Sequence, residues 1–322
     1  MFKPLAAGAL AAAVAFSTPV QAQESYTIAL IPGLTTDAFY ITMRKGAEAA
    51  AKAVGAELIF QGAPDFNPTT QVPVLDAVIA RQPDAILIAP TDKTQLIEPL
   101  RQADAAGIPV ITVDTFIDDG IYQDGRGDGD FPLSYVASDN ILGGLMAGLA
   151  LGEAIEGTGK VYVSNVKPGI STTDQREEGF RAAMTQYPGV TVLETQFNDD
   201  DANKAASQFQ AVLARNPDLK GVFGANLFSA LGAANGVTQA GKHGEVKVVA
   251  FDTPQRIVDD IKDGVIDFAI AQHPAEIGWF GVMAAYAHLT GQSIPTTIGT
   301  GFTVMHADNI DDPEVQRFIY SE

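Results

Sequence analysis

Short apolar runs alternate with longer amphipathic segments along nearly the whole chain, and this rhythm restricts the fold more than any other feature. The runs Ile28–Ile31, Glu57–Gln61, Ala85–Ala89, Val110–Val113, Lys160–Ser164, Thr191–Thr195, Gly221–Gly224, Val246–Phe251, Ile266–Ala271 and Gly301–Met305 read as strands. Helical patterns fill the intervals: Ala38–Val54, Thr69–Arg81, Thr94–Ala106, Ile141–Ile155, Thr173–Gln186, Ala202–Arg215, Ser229–Ala240, Gln255–Asp263 and Ala275–Thr290. A strand buried on both faces is apolar throughout, so regular β-α alternation predicts parallel sheets covered by helices on both sides. Right-handed crossovers then gather every strand-to-helix turn at one sheet edge, where such folds bind ligands.

The rhythm occurs twice, from Tyr26 to Val113 and from Lys160 to Phe251. The segments "AAGIPVITVD" and "HGEVKVVAFD" each carry an apolar strand to an acidic end, Asp114 and Asp252. Two similar α/β domains facing each other would form a cleft lined by strand ends from both.

The start of the chain reads differently. Lys3, the apolar stretch Leu5–Phe16 and the small-residue site Val20-Gln21-Ala22 predict an export signal cleaved after Ala22. An uncleaved anchor would need a longer apolar stretch with less alanine. The remaining chain of about 300 residues suits two domains. It has no cysteine, so an exported chain of this kind relies on its core rather than on disulfides. The formal net charge of -19 argues against nucleic acid and anionic membranes as partners.

Signatures of catalysis are missing. The four histidines, His243, His273, His288 and His306, have no zinc-binding spacing. No GxSxG elbow, dinucleotide fingerprint or phosphate loop follows a strand. No catalytic residue, metal or cofactor is therefore expected. His273 reads as a junction residue, and Trp279 as a core or domain-face residue. The Gly- and Asp-rich stretch Thr115–Ser134 reads as a surface loop. Its "DGRGDGD" places acids near calcium-loop spacing, but Arg126 stands where a ligand is wanted.

What remains is a polar set at strand ends: Asp37, Asp114, Asn140, Arg176, Asn226, Asp252 and Gln272. Carboxylates accept hydroxyl protons and a guanidinium donates in a planar fork, so the set suits a neutral polyhydroxyl ligand. Phe39 and Tyr40 can cover the C–H faces of such a ligand. Taken singly, Asp37 also suits a helix N-cap, Asp252 a strand-end cap and Arg176 a surface salt bridge.

Through "IALIPGLTTDAFYITMRKGA", "DAILIAPTD", "GIPVITVDT", "VASDNILGG", "REEGF", "VFGANLFSALGA", "VVAFDTP" and "IAQHPAEIG", in this order, the chain resembles the periplasmic sugar-binding proteins of ABC transporters, in the ribose-binding-like type I group. The resemblance implies two doubly wound parallel-sheet domains joined by a three-segment hinge, with crossings near Val136–Asn140, Ala271–Pro274 and Thr300–Thr303. It implies an N-terminal domain of residues 23–137 plus 273–300, and a C-terminal domain of 138–272 plus 301–322. The expected ligand-binding residues are Asp37, Phe39, Tyr40, Asp114, Arg176, Asn226, Asp252 and Gln272. The implied role is a non-enzymatic periplasmic receptor that delivers a monosaccharide or sugar alcohol to an inner-membrane permease. A monomer is expected, and a chemoreceptor is open as a second partner. Three departures put ribose itself in question. Thr115 stands where ribose-binding members have arginine. Gly33 replaces a serine. Around Asp200, where an aromatic is expected, the chain has "FNDDD", with Phe197 as the available substitute. A nucleoside or furanose-like signal, a repressor-type sensing core, and a hydrolase using Asp114 and Asp252 are the competing readings.

Overall fold

A computed structural model describes residues 25–122 and 131–321. The expected export signal and the "DGRGDGD" acids lie outside the described residues. The first series of elements runs β1 (Thr27–Ile31), α1 (Ala38–Val54), β2 (Glu57–Phe60), α2 (Pro68–Ile79), β3 (Ala85–Ile88), α3 (Ile97–Ala105), β4 (Val110–Val113) and β5 (Ser134–Ser138). The second runs α4 (Asn140–Ala154), β6 (Thr158–Asn165), α5 (Ser171–Met184), β7 (Gly189–Val192), β8 (Gln196–Phe197), α6 (Ala202–Arg215), β9 (Leu219–Gly224), α7 (Leu227–Ala240), β10 (Lys247–Phe251), α8 (Gln255–Lys262) and β11 (Phe268–Gln272). The chain closes with α9 (Pro274–Leu289), β12 (Thr297–Thr300), β13 (Phe302–Met305) and α10 (Pro313–Gln316).

The strands form two sheets. One has the order β12-β5-β4-β3-β1-β2, the other β13-β11-β10-β9-β6-β7. Read outward from β2 and from β7, the two orders match strand for strand. Thus β4 and β10, the two strands that end in aspartate, hold the same place in their sheets. All pairings are parallel except β11 with β13. The central strands are buried along their length, as in Ala85–Ile88 and Val110–Val113. This is what a parallel sheet with helices on both faces requires. The order reverses between β1 and β3, and again between β6 and β9, so each sheet has a crevice at the carboxyl ends of those strands.

The chain passes between the sheets three times, at residues 138–140, 272–274 and 300–302. Three details differ from the sequence reading. The run Gly301–Met305 becomes β13, paired with β11, and just before it lies β12, a strand the sequence reading did not mark, which pairs β5 in the other sheet. Ser134–Ser138 is a fully buried strand that the sequence reading did not mark; its first residue, Ser134, was read as the last of the surface loop. Trp279 is 37% exposed on α9, so it is not a core residue.

Each lobe also contains one helix pair locked by reciprocal glycines. A Cβ on Gly46 of α1 would stand 1.9 Å from Ala275 O, and one on Gly278 of α9 would stand 2.0 Å from Met43 O. In the other lobe, a Cβ on Gly144 of α4 would stand 2.0 Å from Arg176 O, and one on Gly179 of α5 would stand 2.0 Å from Ile141 O. Only hydrogen fits at these four points, so the backbones touch. The contact on Arg176 fixes a helix that carries a candidate site residue. Gly278→Ala should lower unfolding free energy by about 1–3 kcal/mol in denaturant titration, because the added methyl has no room. Gly299→Ala on β12, where a Cβ meets nothing within 4 Å, should change it by less than about 0.5 kcal/mol.

Candidate functional site

The turn after β1 places Asp37 at the N-cap of α1, where its Oδ1 accepts the Phe39 N–H at 2.9 Å. The same carboxyl lines a pocket between the lobes, so the capping role and the site role coincide. Phe39 and Tyr40 follow in the first turn, both almost fully buried, with their rings edge to face at 5.1 Å. The Tyr40 hydroxyl donates to Asp114 Oδ2 at 2.7 Å, which holds this carboxylate at the end of β4. Burial and the neighbouring carboxylate push the Tyr40 phenol well above its ordinary pKa, so it stays a donor.

The second lobe supplies the facing wall. Arg176 on α5 is 3% exposed, which rules out a surface salt bridge. Its Nε donates to Asn140 Oδ1 at 2.8 Å and its Nη1 to Ala225 O at 3.0 Å, and the guanidinium lies 3.9 Å over the Phe251 ring. Asn140 itself does not line the pocket; it braces Arg176 at the first crossing between the sheets. Asn226 caps α7, with Oδ1 accepting Ser229 N–H and Nδ2 donating to Asp200 Oδ1. Asp252 accepts from Gln272 Nε2 at 2.9 Å, from Tyr320 at 3.0 Å and from Leu227 N–H at 3.2 Å. Asp114 and Asp252 both have left-handed backbone, at φ 63° and 74°. Aspartate is among the few residues that tolerate this, and the matching strain follows from their matching places in the two sheets.

The structure brings all eight sequence-predicted residues, Asp37, Phe39, Tyr40, Asp114, Arg176, Asn226, Asp252 and Gln272, to the wall of one pocket. It encloses about 450 Å³ of empty space, with the open solvent at its mouth included. Leu34, Phe66, Val166, Ile170, Thr172, Thr173 and Asp200 complete the wall and were not predicted. The sequence pointed to Asp200 only as the place of a missing aromatic. Phe197, the suggested substitute, is 37% exposed and lies outside the pocket. The aromatic comes instead from Phe66 in the first lobe. It also accounts for Gly33, where a Cβ would meet Phe66 Cε2 at 2.4 Å. Thr115 is turned away, donating to Pro90 O at 2.7 Å. His273 stacks on Phe318 at 3.7 Å and reaches Thr303 at 3.0 Å, a junction residue as read from the sequence.

Tyr320 is a further residue that sequence reasoning missed. It stands behind the pocket wall, buried, and touches both lobes. Its hydroxyl accepts from Gln272 N–H at 2.9 Å and donates to Asp252, while its ring meets Phe39 edge on at 5.8 Å. Nothing in a lone tyrosine near the end of the sequence marks such a contact. In front of the pocket, Ser171 Oγ accepts Phe116 N–H at 3.1 Å, and Lys93 reaches Asp174 at 3.5 Å, so the lobes are drawn together.

Four carboxyls thus meet across the cleft: Asp37 and Asp114 from one lobe, Asp200 and Asp252 from the other. Burial and then the charge of Asp252 raise Asp37 to about 8, although part of its side chain remains open to the pocket. Burial raises Asp114 to about 6, opposed by Arg176 and Tyr40. Burial raises Asp200 to about 6, opposed by the Asn226 hydrogen bond. No group of His, Cys, Asp or Glu suited to a metal ion occurs among the described residues, and none of their helices is long and apolar enough to cross a membrane.

A model of the periplasmic binding protein domain matches residues 28–293. A ribose import binding protein of Salmonella typhimurium is 33% identical over 287 residues, covering 88% of this chain and 93% of that protein. An ABC transporter solute-binding protein from Agrobacterium vitis, solved with bound α-D-tagatopyranose, is 74% identical. It has a TM-score of 0.91 and covers 92% of this chain and 100% of its own. A carbohydrate transporter solute-binding protein from Agrobacterium radiobacter, in complex with D-arabinose, is 27% identical, with a TM-score of 0.84 over 92% and 99% of the two chains.

Two outcomes follow from the geometry. The raised carboxyl pKa values belong to the drawn-together lobes, so closing the empty cleft takes up protons. Closure is then favoured below the ordinary carboxyl pKa of 3.8 and loses that support as pH rises towards about 6 and about 8. Small-angle X-ray scattering of the ligand-free protein should give a larger radius of gyration at pH 8 than at pH 5. A radius that is constant, or that shrinks with pH, would contradict this. Tyr320→Phe keeps the ring but loses the hydroxyl that donates to Asp252, and should lower thermal stability by about 1–2 kcal/mol.

Proposed function

Because the chain belongs to the periplasmic binding protein domain family, we propose that it is the solute-binding component of an ABC transporter and captures a neutral monosaccharide or sugar alcohol between its lobes. The observation that carries this reading is the pocket itself: acceptor carboxylates from both lobes, one guanidinium, and Phe39, Tyr40 and Phe66 as apolar cover. Sugar hydroxyls donate to carboxylates, and aromatic faces cover ring C–H groups. The 74% identity to a protein bound with α-D-tagatopyranose makes a ketohexose in its pyranose form the first ligand to test.

Capture works by differential stabilisation of the closed form. In the empty cleft, closing sets like-charged carboxyls against each other and removes them from water, so the open form is favoured. A ligand whose hydroxyls donate to both walls reverses the balance, because only the closed form satisfies both sets of acceptors. Excluding water then strengthens each hydrogen bond. The permease reads the closed outer shape.

The parts of this reading fit one another. The export signal, residues 1–22, is removed after Ala22, and the mature protein works in the periplasm. The lobes divide as residues 23–137 plus 273–300 and 138–272 plus 301–322, with the sheet crossings in support. The receptor acts as a monomer towards its inner-membrane permease, and a chemoreceptor could read the same closed shape. Catalysis by Asp114 and Asp252 has little support, since Tyr40, Gln272 and Tyr320 already engage these carboxylates.

A thermal-shift screen with D-tagatose, D-arabinose, D-ribose and linear polyols tests the function, because a ligand that binds only the folded protein raises Tm. No shift with any of these compounds would refute the reading. Asp114→Asn keeps the shape and the contact from Tyr40 but removes the charge. It should weaken the best sugar roughly 10- to 100-fold by calorimetric titration.

A further inference from the structure

Two buried side-chain oxygens without a hydrogen-bond partner among the described residues line the pocket: Gln272 Oε1 and Thr173 Oγ1. Gln272 belongs to the polar set already discussed, and its oxygen can only accept. Thr173 does not belong to that set. It lies in the first turn of α5 and is 3% exposed. A helical threonine usually returns its hydroxyl to a carbonyl one turn back. Thr173 does not do so, and a buried hydroxyl left unpaired is costly.

The second lobe has few donors to offer. Asp200, Asp252 and Gln272 Oε1 accept. Asn226 donates its amide to Asp200, and Gln272 donates its own to Asp252. Arg176 commits Nε to Asn140 and Nη1 to Ala225 O. The rest of the guanidinium and the hydroxyls at the start of α5 are what can still donate, and the Thr173 hydroxyl is buried and unpartnered. A sugar needs such a donor. Its hydroxyls can give protons to carboxylates, but a pyranose ring oxygen can only accept.

The turn that carries Thr173 is fixed at the seam between the lobes. Ser171 accepts from Phe116, and Asp174 pairs with Lys93 and accepts Gly169 N–H at 3.0 Å. We propose that Thr173 donates its hydroxyl proton to an oxygen of the bound sugar and thereby selects ligands that present an acceptor at that point. This inference rests on the sugar-binding reading and adds a specificity-determining residue to it.

The test is calorimetric titration of D-tagatose into the wild type, Thr173→Val and Thr173→Ser, with Tm measured on each protein without ligand. Valine keeps the shape and removes the hydroxyl, so Kd should rise roughly tenfold. Serine restores the hydroxyl and should bind within about threefold of wild type. The ligand-free Tm of Thr173→Val should not fall, because the hydroxyl has no protein partner to lose. A Kd for Thr173→Val within about twofold of wild type, or serine as weak as valine, would overturn the proposal. Should the valine variant not fold, Thr173→Ala against Thr173→Ser makes the same comparison. Wild-type protein that binds none of D-tagatose, D-arabinose and D-ribose would instead overturn the sugar reading, and this inference with it.

Discussion

Four carboxyl groups facing one another across a buried cleft, with the Arg176 guanidinium among them, are the constraint on which the rest of this structure depends. Asp37 and Asp114 stand on one lobe, Asp200 and Asp252 on the other, and Arg176 is the one cation in the lining among the described residues. Such a set is unfavourable when closed and empty, and favourable when hydroxyl donors fill the space between. The cleft therefore needs two separately folded lobes, joined so that they can part. The three chain crossings provide that joint.

Holding the carboxyls in place calls for rigid supports behind them, and the two lobes meet this need in parallel ways. Gln71 spans the first lobe, donating to Pro32 O and Ala89 O while its Oε1 accepts from Thr91, so the ends of β1 and β3 are tied together. Asn198 does the same in the second, donating to Ser164 and Ser229 while its Oδ1 accepts the Asp200 N–H. Neither brace lines the pocket. Both sit where the strand order reverses, the place where a doubly wound sheet opens its crevice. Tyr320 joins the two systems, with its hydroxyl on Asp252 and its ring on Phe39.

Much of the site was legible in the sequence because strand ends are legible. A short apolar run followed by Asp, as at Asp114 and Asp252, marks both a sheet edge and a polar group held there. The same logic found Asp37, Asn226 and Gln272, while Arg176, read as a strand-end residue, stands in the second turn of α5. It failed where a residue carries no local mark. Phe66 lies in an irregular stretch before α2, and its place in the cleft depends on the space left by Gly33. Val166 and Ile170 look like any apolar residues near a strand. Thr173 reads as an ordinary helix-start residue. Phe197 was a reasonable substitute by position, but β8 leaves it half-exposed and outside the pocket.

By itself the sequence determined the architecture: alternating apolar runs and amphipathic segments permit little other than paired parallel sheets, and the chain repeats that rhythm. It also pointed to the character of the proposed ligand, since carboxylates, amides, a guanidinium and aromatics suit hydroxyl groups. Tertiary structure decided the rest. Which helices touch was settled by glycines whose neighbours come from distant segments, as Gly144 meets Arg176 O. Which hydroxyl stays unpaired was settled by the packing around Thr173. Which carboxyls are pushed above their ordinary pKa was settled by their burial between the two lobes. Each of these depends on distances between residues far apart in the chain, and local sequence patterns carry no record of such distances.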